Sequence, residues 1–170
     1  MTVSKEISPW VLEHHSVIPE GGHILDLACG SGRHSRFLQD KGYKLTAVDI
    51  DLNAIRDADL SGVILVQADL ENAPWPFGSD LFDGIIVVNY LWRPQFQKLM
   101  TTLKGNGVLI FDTFSLGNEK YGRPKNPDFL LKPGELKSVF SDLECLDFFE
   151  GFVENSGPAM RQSIVARKIK

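Results

Sequence analysis

The stretch from Ile24 to Ser35, ILDLACGSGRHS, runs from an apolar segment into a glycine turn and then into a helix-compatible sequence. Ile24–Ala28 predicts a buried β-strand, and Arg33–Lys41 predicts a helix that ends before Gly42. A strand, a glycine turn and a helix in this order form one unit of an open α/β sheet, whose ligands bind at the carboxyl ends of the strands. The turn therefore predicts a ligand site, and the residues around it decide which ligand fits.

The length of 170 residues fits one domain, residues 1–170, with a single core. A net charge of -4 gives no basic excess for nucleic acid, and no 18-residue apolar run suggests a membrane span. Without a signal-peptide pattern at the N-terminus, we expect a cytoplasmic protein that is a monomer or a homodimer. Histidines and carboxylates show no ligand spacing, so no metal site is predicted.

Short apolar runs alternate with polar, helix-like segments, which predicts an α/β fold with helices on both faces of a sheet. In residues 1–20 we expect a helical segment, in which Ser8 caps a helix and Pro9 lies in its first turn. After Pro94, apolar residues at helical spacing predict another helix. The strand candidates are Ile24–Ala28, Leu45–Val48, Val63–Ala68, Phe82–Val88, Val108–Phe111, Leu143–Phe149 and Ser163–Ala166.

Polar residues stand where four of these strands end, at Asp49, Asp69, Asn89 and Asp112. Successive ends are about one β-α unit apart, so these side chains are expected along one edge of the sheet. Any one of them alone is equally typical of a turn or a helix cap. The repetition predicts a binding site at this edge.

The ligand is indicated by two departures from a dinucleotide-binding turn, which has the form G-x-G-x-x-G. Ser35 takes the place of the third glycine, and Asp26, four residues before Gly30, would repel a diphosphate and attract a cation. S-adenosylmethionine (SAM) carries an ammonium and a sulfonium and no phosphate. We expect Asp26 to face the ammonium, directly or through water. Asp49 can accept both ribose hydroxyls and Asp69 the adenine amino group, although Asp49 alone would suit NAD equally well.

The string D-L-A-C-G-S-G, followed by acids after the second and third strands, resembles the first motifs of class I SAM-dependent methyltransferases over roughly residues 10–167. The resemblance implies a three-layer, Rossmann-like sheet of seven strands, mostly parallel with the last strand antiparallel. It implies cofactor contacts at Asp26, Ala28, Gly30 and Gly32 around the methionine part and the turn, Asp49 and Ile50 after the second strand, Asp69 and Leu70 at the adenine, and Asn89 beside the donor methyl group.

Four shorter strings, GSGRHSRFL, GYKLTAVDID, FLLKPGEL and SIVARK, are similar to the tellurite-resistance TehB-like group of small methyltransferases. Ala28 stands where glycine is common in that group, a substitution that a turn of this kind should accept. The irregular segment 71–80 stands where many class I members have a helix, which shortens one wall of the expected adenosine site.

Residues after the fourth strand are the first candidates for the acceptor side. Tyr90, Trp92 and Arg93 could shape an aromatic or anion-binding pocket near the methyl group. A core position for Trp92 and a solvated one for Arg93 are equally compatible with the sequence.

A second candidate is the segment 114–131, which is long, rich in Gly, Pro and Asn, and leaves the fifth strand at the ligand edge. It predicts a lid loop with Tyr121 and Arg123 facing the acceptor. A plain surface loop is the alternative.

The sequence thus predicts an enzyme that transfers the methyl group of SAM to a small molecule by in-line displacement. This reaction does not strictly need a dedicated catalytic residue, and the sequence assigns none. The Asn-Pro-Pro-Tyr signature of amino-group methylation does not occur. Two alternatives stay open: a SAM-binding sensor or partner subunit without catalysis, and an NAD-dependent oxidoreductase, which Ser35 and Asp26 disfavour.

Overall fold

A computed structural model describes residues 6–154 and 157–170 and contains one seven-stranded sheet. The strands are β1 (His23–Leu27), β2 (Lys44–Asp49), β3 (Ile64–Gln67), β4 (Phe82–Val88), β5 (Leu103–Phe114), β6 (Glu144–Val153) and β7 (Ala159–Arg167). Their order is β3-β2-β1-β4-β5-β7-β6; β1 to β5 are parallel, and β7 is antiparallel to both β5 and β6. The predicted α/β class and mostly parallel sheet with an antiparallel final strand are confirmed.

Five α-helices lie among the described residues: α1 (Pro9–His14), α2 (Arg33–Asp40), α3 (Asn53–Asp57), α4 (Phe96–Thr102) and α5 (Glu135–Val139). Single 3-10 turns occupy His15–Val17, Arg93–Gln95, Asn118–Lys120 and Pro127–Phe129. As expected, the Ser8 side chain caps α1, accepting from the Val11 N–H, and Gly42 has a φ of 94° after α2. Residues 1–5 of the expected N-terminal helical segment lie outside the described residues.

Helices cover both faces of the sheet because the central strands are apolar on both sides. On one face, Phe96 of α4 and Phe140, just after α5, pack against Phe111 of β5. On the other face, Val11 of α1 and Leu38 of α2 are fully buried in a second apolar cluster with residues of β1, β2, β4, β5 and β7.

The last three strands are longer than their apolar runs predicted. The expected strand Val108–Phe111 extends back to Leu103, directly after α4, through Asn106 at a φ of 66°. The final hairpin likewise continues through polar positions to Val153 and Ala159. Ladder hydrogen bonds join backbone groups and do not depend on side-chain polarity, so the side-chain pattern marks only the buried part of each strand.

The turn after β1 bends through residues with a left-handed backbone. Ala28, Gly30 and Gly32 have φ values of 52°, 55° and 81°. A Cβ atom on Gly32 would lie 2.7 Å from the Ile55 side chain, whereas a Cβ on Gly30 would meet no protein atom within 4 Å. Gly32 is therefore needed for packing on α3, and the backbone at Gly30 stays open on its outer side.

The segment 114–131 is closed at its base and anchored inside. Ser115 bridges to Leu131, and the Leu116 N–H donates to the Leu131 carbonyl at 2.9 Å. Within the segment, the buried Asn118 donates from Nδ2 to the Pro124 carbonyl at 3.2 Å and accepts from the Met160 N–H of β7 at 3.1 Å. These contacts tie the middle of the segment to the final hairpin.

Arg93 ties the end of the same segment to α5. Its Nε and Nη2 donate to the two carboxylate oxygens of Glu135 at 2.6 and 2.9 Å, while Nη1 and Nη2 donate to the carbonyls of Asp128 and Leu130 at 2.8 and 2.9 Å. A bidentate pair with two further backbone contacts holds a guanidinium in one orientation. Arg93 therefore acts as a tether in this structure.

Replacing Ala28 with glycine should stabilise the fold, because a left-handed conformation strains an alanine and not a glycine. We expect A28G to raise the free energy of unfolding by about 0.5–1 kcal/mol, the strain relieved less the extra backbone entropy of glycine, measured by urea denaturation. G30A introduces the same strain at a nearby position and should lower the free energy of unfolding by a similar amount. A loss of stability in both variants would contradict the strain at Ala28.

Removing the Arg93 tether should loosen the end of segment 114–131. In R93A we expect the amide hydrogens of Phe129 and Leu130 to exchange at least tenfold faster, since the chain there loses its two side-chain contacts. K98A, at an exposed position of α4, is the control and should leave this exchange unchanged. Equal exchange rates in R93A and the wild-type protein would show that segment 114–131 keeps its structure without the Arg93 contacts.

Candidate cofactor and acceptor site

The carboxyl ends of the parallel strands meet at one edge, as the spacing predicted. Backbone hydrogen bonds continue past the strands there: the Cys29 N–H donates to Val48, the Ala68 N–H to Asp49, and the Asn89 N–H to Asp112, each to the carbonyl oxygen at 3.0 Å. Neighbouring strand ends are thus held side by side. The turn at 28–32 and the ends of β2, β3, β4 and β5 form this edge.

Asp26 lies inside β1, 3% exposed, and its Oδ2 accepts a hydrogen bond of 2.7 Å from the Ser35 hydroxyl of α2. Burial raises the pKa of Asp26 to about 6, although the Ser35 hydrogen bond and the positive charge of Arg33 favour the ionised form. A carboxylate that is costly to ionise gains from a cation placed against it. Ser35, which the sequence showed only as a missing glycine, is the residue that supports Asp26.

Asp49, at the end of β2, faces the glycine turn. Its Oδ2 accepts from the Gly30 N–H at 2.9 Å, and its Oδ1 accepts from the Asp51 N–H at 3.2 Å. Ile50 follows with 60% of its surface exposed. The carboxylate of Asp49 lies beside the open backbone at Gly30 and the exposed apolar side chain of Ile50. This combination suits a nucleoside, which has a polar sugar ring next to a flat base.

Asp69, at the end of β3, caps the turn that follows it. Its Oδ1 accepts from the N–H groups of Glu71 and Asn72, both at 3.0 Å, and these hydrogen bonds hold the pKa of Asp69 below its usual value. Leu70 packs its partly buried side chain against the core. The acid is partly exposed, so it can still accept a further hydrogen bond from a ligand.

Tyr90 follows β4 and lies within the electrostatic reach of these acids. Burial raises its pKa to about 12, and the negative charges of Glu71, Asp69 and Asp49 act in the same direction. The phenol therefore stays protonated at neutral pH. Trp92 is partly buried and precedes the 3-10 turn at Arg93–Gln95.

A polar network that the sequence did not reveal joins β4, β5 and β7. Arg161 of β7 donates from Nη2 to Asn89 Oδ1 at 2.6 Å and from Nε to Asp112 Oδ1 at 2.9 Å. Asp112, 4% exposed, also accepts from the Ser163 and Ser8 hydroxyls at 2.7 Å each. Only Asp112 and Asn89 carried a signal in the sequence, as residues at strand ends; Arg161 lies on the final hairpin, where no spacing pointed to the site.

Two residues of the N-terminal segment are held at the start of α2, next to the same edge. The Ser8 N–H donates to Nε2 of His34 at 3.0 Å, and Arg33 Nε donates to the Glu6 carbonyl at 2.8 Å. Burial and the charge of Arg33 lower the pKa of His34 to about 3, so the ring is neutral at pH 7 with its proton on Nδ1. His34 therefore serves as an acceptor that positions the start of α1.

The residues expected on the acceptor side are spread over the edge. The Tyr121 ring packs on Phe152 of β6 at 5.0 Å between centroids, and Arg123 is exposed. Arg93 is held by its contacts with Glu135 and the end of segment 114–131, so we do not propose it as an acceptor-binding residue.

The described residues contain neither a metal-binding cluster nor a membrane-spanning helix. Among 6–154 and 157–170, no group of three or more His, Cys, Asp or Glu is arranged to hold a metal ion. No helix within these ranges is long and apolar enough to cross a bilayer.

Comparison with known proteins agrees with this geometry. Residues 24–107 match the methyltransferase domain family. YqeM of Bacillus subtilis, which is named as a methyltransferase, is 29% identical over 120 residues, covering 62% of this chain and 48% of YqeM. TehB of Haemophilus influenzae, named as a SAM-dependent methyltransferase, is 24% identical over 140 residues, covering 77% of this chain and 49% of TehB. The chain thus spans about half the length of these relatives.

Solved structures show the same fold. The crystal structure of H. influenzae TehB superposes with a TM-score of 0.77 at 21% identity, over 97% of this chain and 63% of TehB. The 1,6-didemethyltoxoflavin-N1-methyltransferase of Burkholderia thailandensis, solved with bound 1,6-didemethyltoxoflavin and S-adenosylhomocysteine, superposes with a TM-score of 0.74 at 16% identity, over 95% of this chain and 77% of that one. Together, the sequence matches and the fold show that the chain is similar to class I SAM-dependent methyltransferases, TehB among them.

Proposed function

We propose that this protein binds SAM at the carboxyl edge of the sheet and transfers its methyl group to a small-molecule acceptor. The observation that carries the proposal is the environment of Asp26. A buried carboxyl group with a raised pKa, supported by one serine hydroxyl, gains free energy when a cation neutralises it, and the ammonium of SAM is such a cation. A diphosphate at the same place would meet repulsion.

The other cofactor contacts follow from the geometry of the edge. The turn at Ala28, Gly30 and Gly32 lets the nucleoside approach the backbone, because no protein atom occupies the space beside Gly30. Asp49 would accept the ribose hydroxyls, and the exposed side chain of Ile50 would cover one face of the adenine.

The far ends of the cofactor involve three further residues. Asp69 would accept the adenine amino group, with Leu70 as the apolar wall beside it. At the opposite end, Asn89 would lie next to the donor methyl group, where β4 ends between β1 and β5.

Bound SAM supplies a methyl group on a positively charged sulfur, which a nucleophile displaces in line. The protein's own part is to align the two reactants and to keep water out. Asn89, Tyr90 and Trp92 lie where the acceptor would approach, and Ser8 is held beside this edge by its contacts with His34 and Asp112. At neutral pH Tyr90 stays protonated and can donate a hydrogen bond, so it is not a general base.

Several expectations stay predictions. The segment 114–131, with Tyr121 and Arg123, would move as a lid only if its anchors at Asn118 and Arg93 released. A cytoplasmic location and a monomeric or homodimeric state are proposed on the sequence alone.

Asp49 provides a direct test of the nucleoside site. D49A should weaken binding of S-adenosylhomocysteine by about 1–3 kcal/mol, the range for a hydrogen bond to a charged group, measured by calorimetry. D51A is the matched control, since Asp51 is an exposed acid two residues away, and it should change the affinity by less than twofold. Tight NAD binding without SAM binding would overturn the proposal in favour of an oxidoreductase.

Cofactor affinity should also depend on pH through Asp26. The pKa of about 6 in the free protein means that the group is mostly protonated at pH 5 and mostly ionised at pH 7. Because the ammonium binds the ionised form, we expect the affinity for S-adenosylhomocysteine to rise about tenfold between these pH values and then to level off. D26N should bind weakly and without this dependence. A pH-independent affinity in the wild-type protein would contradict the ammonium contact.

Turnover separates the enzyme from a SAM-binding sensor. We expect S-adenosylhomocysteine to be released from SAM in the presence of a suitable member of a panel of small thiols, phenols and carboxylic acids. Binding of SAM with an acceptor side that none of the panel can enter would favour the sensor.

A further inference from the structure

Asn89 is held in one orientation by Arg161. A guanidinium has only N–H donors, so the carboxamide must turn its oxygen toward Arg161, and the observed contact between Nη2 and Oδ1 is 2.6 Å. The opposite orientation would set two N–H donors against each other. The Nδ2 amino group of Asn89 therefore faces away from Arg161, on the exposed side of the strand end.

Arg161 is itself held by buried groups. Its Nε and Nη2 donate to Asp112 Oδ1 and the Asp112 carbonyl at 2.9 and 3.2 Å, and its guanidinium stacks over the Phe114 ring at 4.6 Å from the centroid. The side chain is 15% exposed. Hydroxyl groups of Ser8 and Ser163 complete the contacts of the Asp112 carboxylate, so its oxygens are satisfied within the protein.

Two donor groups remain at this place. In the described part of the chain, neither Nδ2 of Asn89 nor Nη1 of Arg161 has a hydrogen-bond partner. A second guanidinium, that of Arg33, is close enough for the charges of Asp26, Arg161 and Asp112 to act on it. The wall beside the expected methyl group thus offers N–H donors, one of them on the guanidinium of Arg161.

We infer that the Asn89–Arg161 pair selects an acceptor that carries an anionic oxygen beside its nucleophilic atom, and disfavours acceptors that present an amine. This inference rests on the proposed function, because it places Asn89 beside the donor methyl group. An anionic oxygen can accept from Nδ2 with the positive charge of Arg161 nearby, and charge assistance makes such a hydrogen bond strong. An ammonium would meet donors and a like charge.

The contact with Arg161 also argues against a different role for Asn89, in which the asparagine oxygen would hold a substrate amino group for methylation. Here the oxygen already accepts a short hydrogen bond from a cation, which lowers its capacity to accept from a substrate amine. Asn89 and Arg161 are therefore specificity-determining residues, and Asp112 is a positioning residue behind them.

The test uses benzoate, benzamide and benzylamine as probes of one size and three charges, titrated by calorimetry into the protein saturated with S-adenosylhomocysteine. We expect benzoate to bind at least tenfold more tightly than benzamide, and benzylamine to bind more weakly still. Equal affinities, or a preference for the amine, would overturn the inference.

Two variants assign the preference to this pair. N89D keeps the oxygen that accepts from Arg161, tolerates a φ of 56°, and replaces the Nδ2 donor with a negative oxygen, so the affinity for benzoate should fall at least tenfold. R161K keeps the charge beside Asp112 but loses the planar fork, and should also weaken benzoate binding. R167K, on the exposed end of the same strand, is the control and should change the affinity less than twofold.

Binding of S-adenosylhomocysteine and preference for benzoate are measured separately. If wild-type protein does not bind S-adenosylhomocysteine, the proposed function and this inference both fall. If it binds S-adenosylhomocysteine and does not prefer benzoate, or if N89D binds benzoate like the wild-type protein, this inference alone is wrong.

Discussion

The buried carboxylate of Asp112 organises the half of the sheet edge where the acceptor is expected. It stands at the end of β5 and accepts from Ser8 before α1 and from Arg161 and Ser163 on β7. A buried charge needs such partners, because its desolvation is costly without them. Elements far apart in the chain are therefore held together at Asp112, and Arg161 in turn fixes the orientation of Asn89.

The cofactor half of the edge depends on two acids in different surroundings. Asp26 is inside a strand and supported by Ser35, so burial raises its pKa, whereas Asp49 lies at a strand end and binds the backbone of the turn. The first suits a cation and the second suits hydroxyl groups. This division matches a ligand whose amino acid part and nucleoside part lie on opposite sides of the turn.

Much of this arrangement could be predicted from the sequence. The spacing of the glycine turn, Asp26 and the polar residues at 49, 69, 89 and 112 predicts that they lie close together at the ends of parallel strands. The fold confirms the parallel sheet that this spacing implied. The site residues themselves remain predictions, since their contacts with a ligand are still to be measured. Ala28 was expected to fit the turn, and the structure adds that it does so with a left-handed backbone.

The contacts of the arginines could not be predicted. Arg93 looked like a candidate for an acceptor anion, yet its fork matches the carboxylate of Glu135 and two carbonyls 35–37 residues away in the chain. Arg161 carried no signal, because it lies in the part of β7 that the apolar pattern missed. A long side chain with several donors finds its partners only after the backbone has been placed.

The sequence by itself determined the sheet and the edge at which a ligand is expected, and it predicts a cation at Asp26, because strand periodicity, turn chemistry and charge are local properties. Only the tertiary structure decided which donors lie at the end of β4. The orientation of Asn89 depends on Arg161, 72 residues further along, and a hydrogen bond over that separation is formed by the fold as a whole.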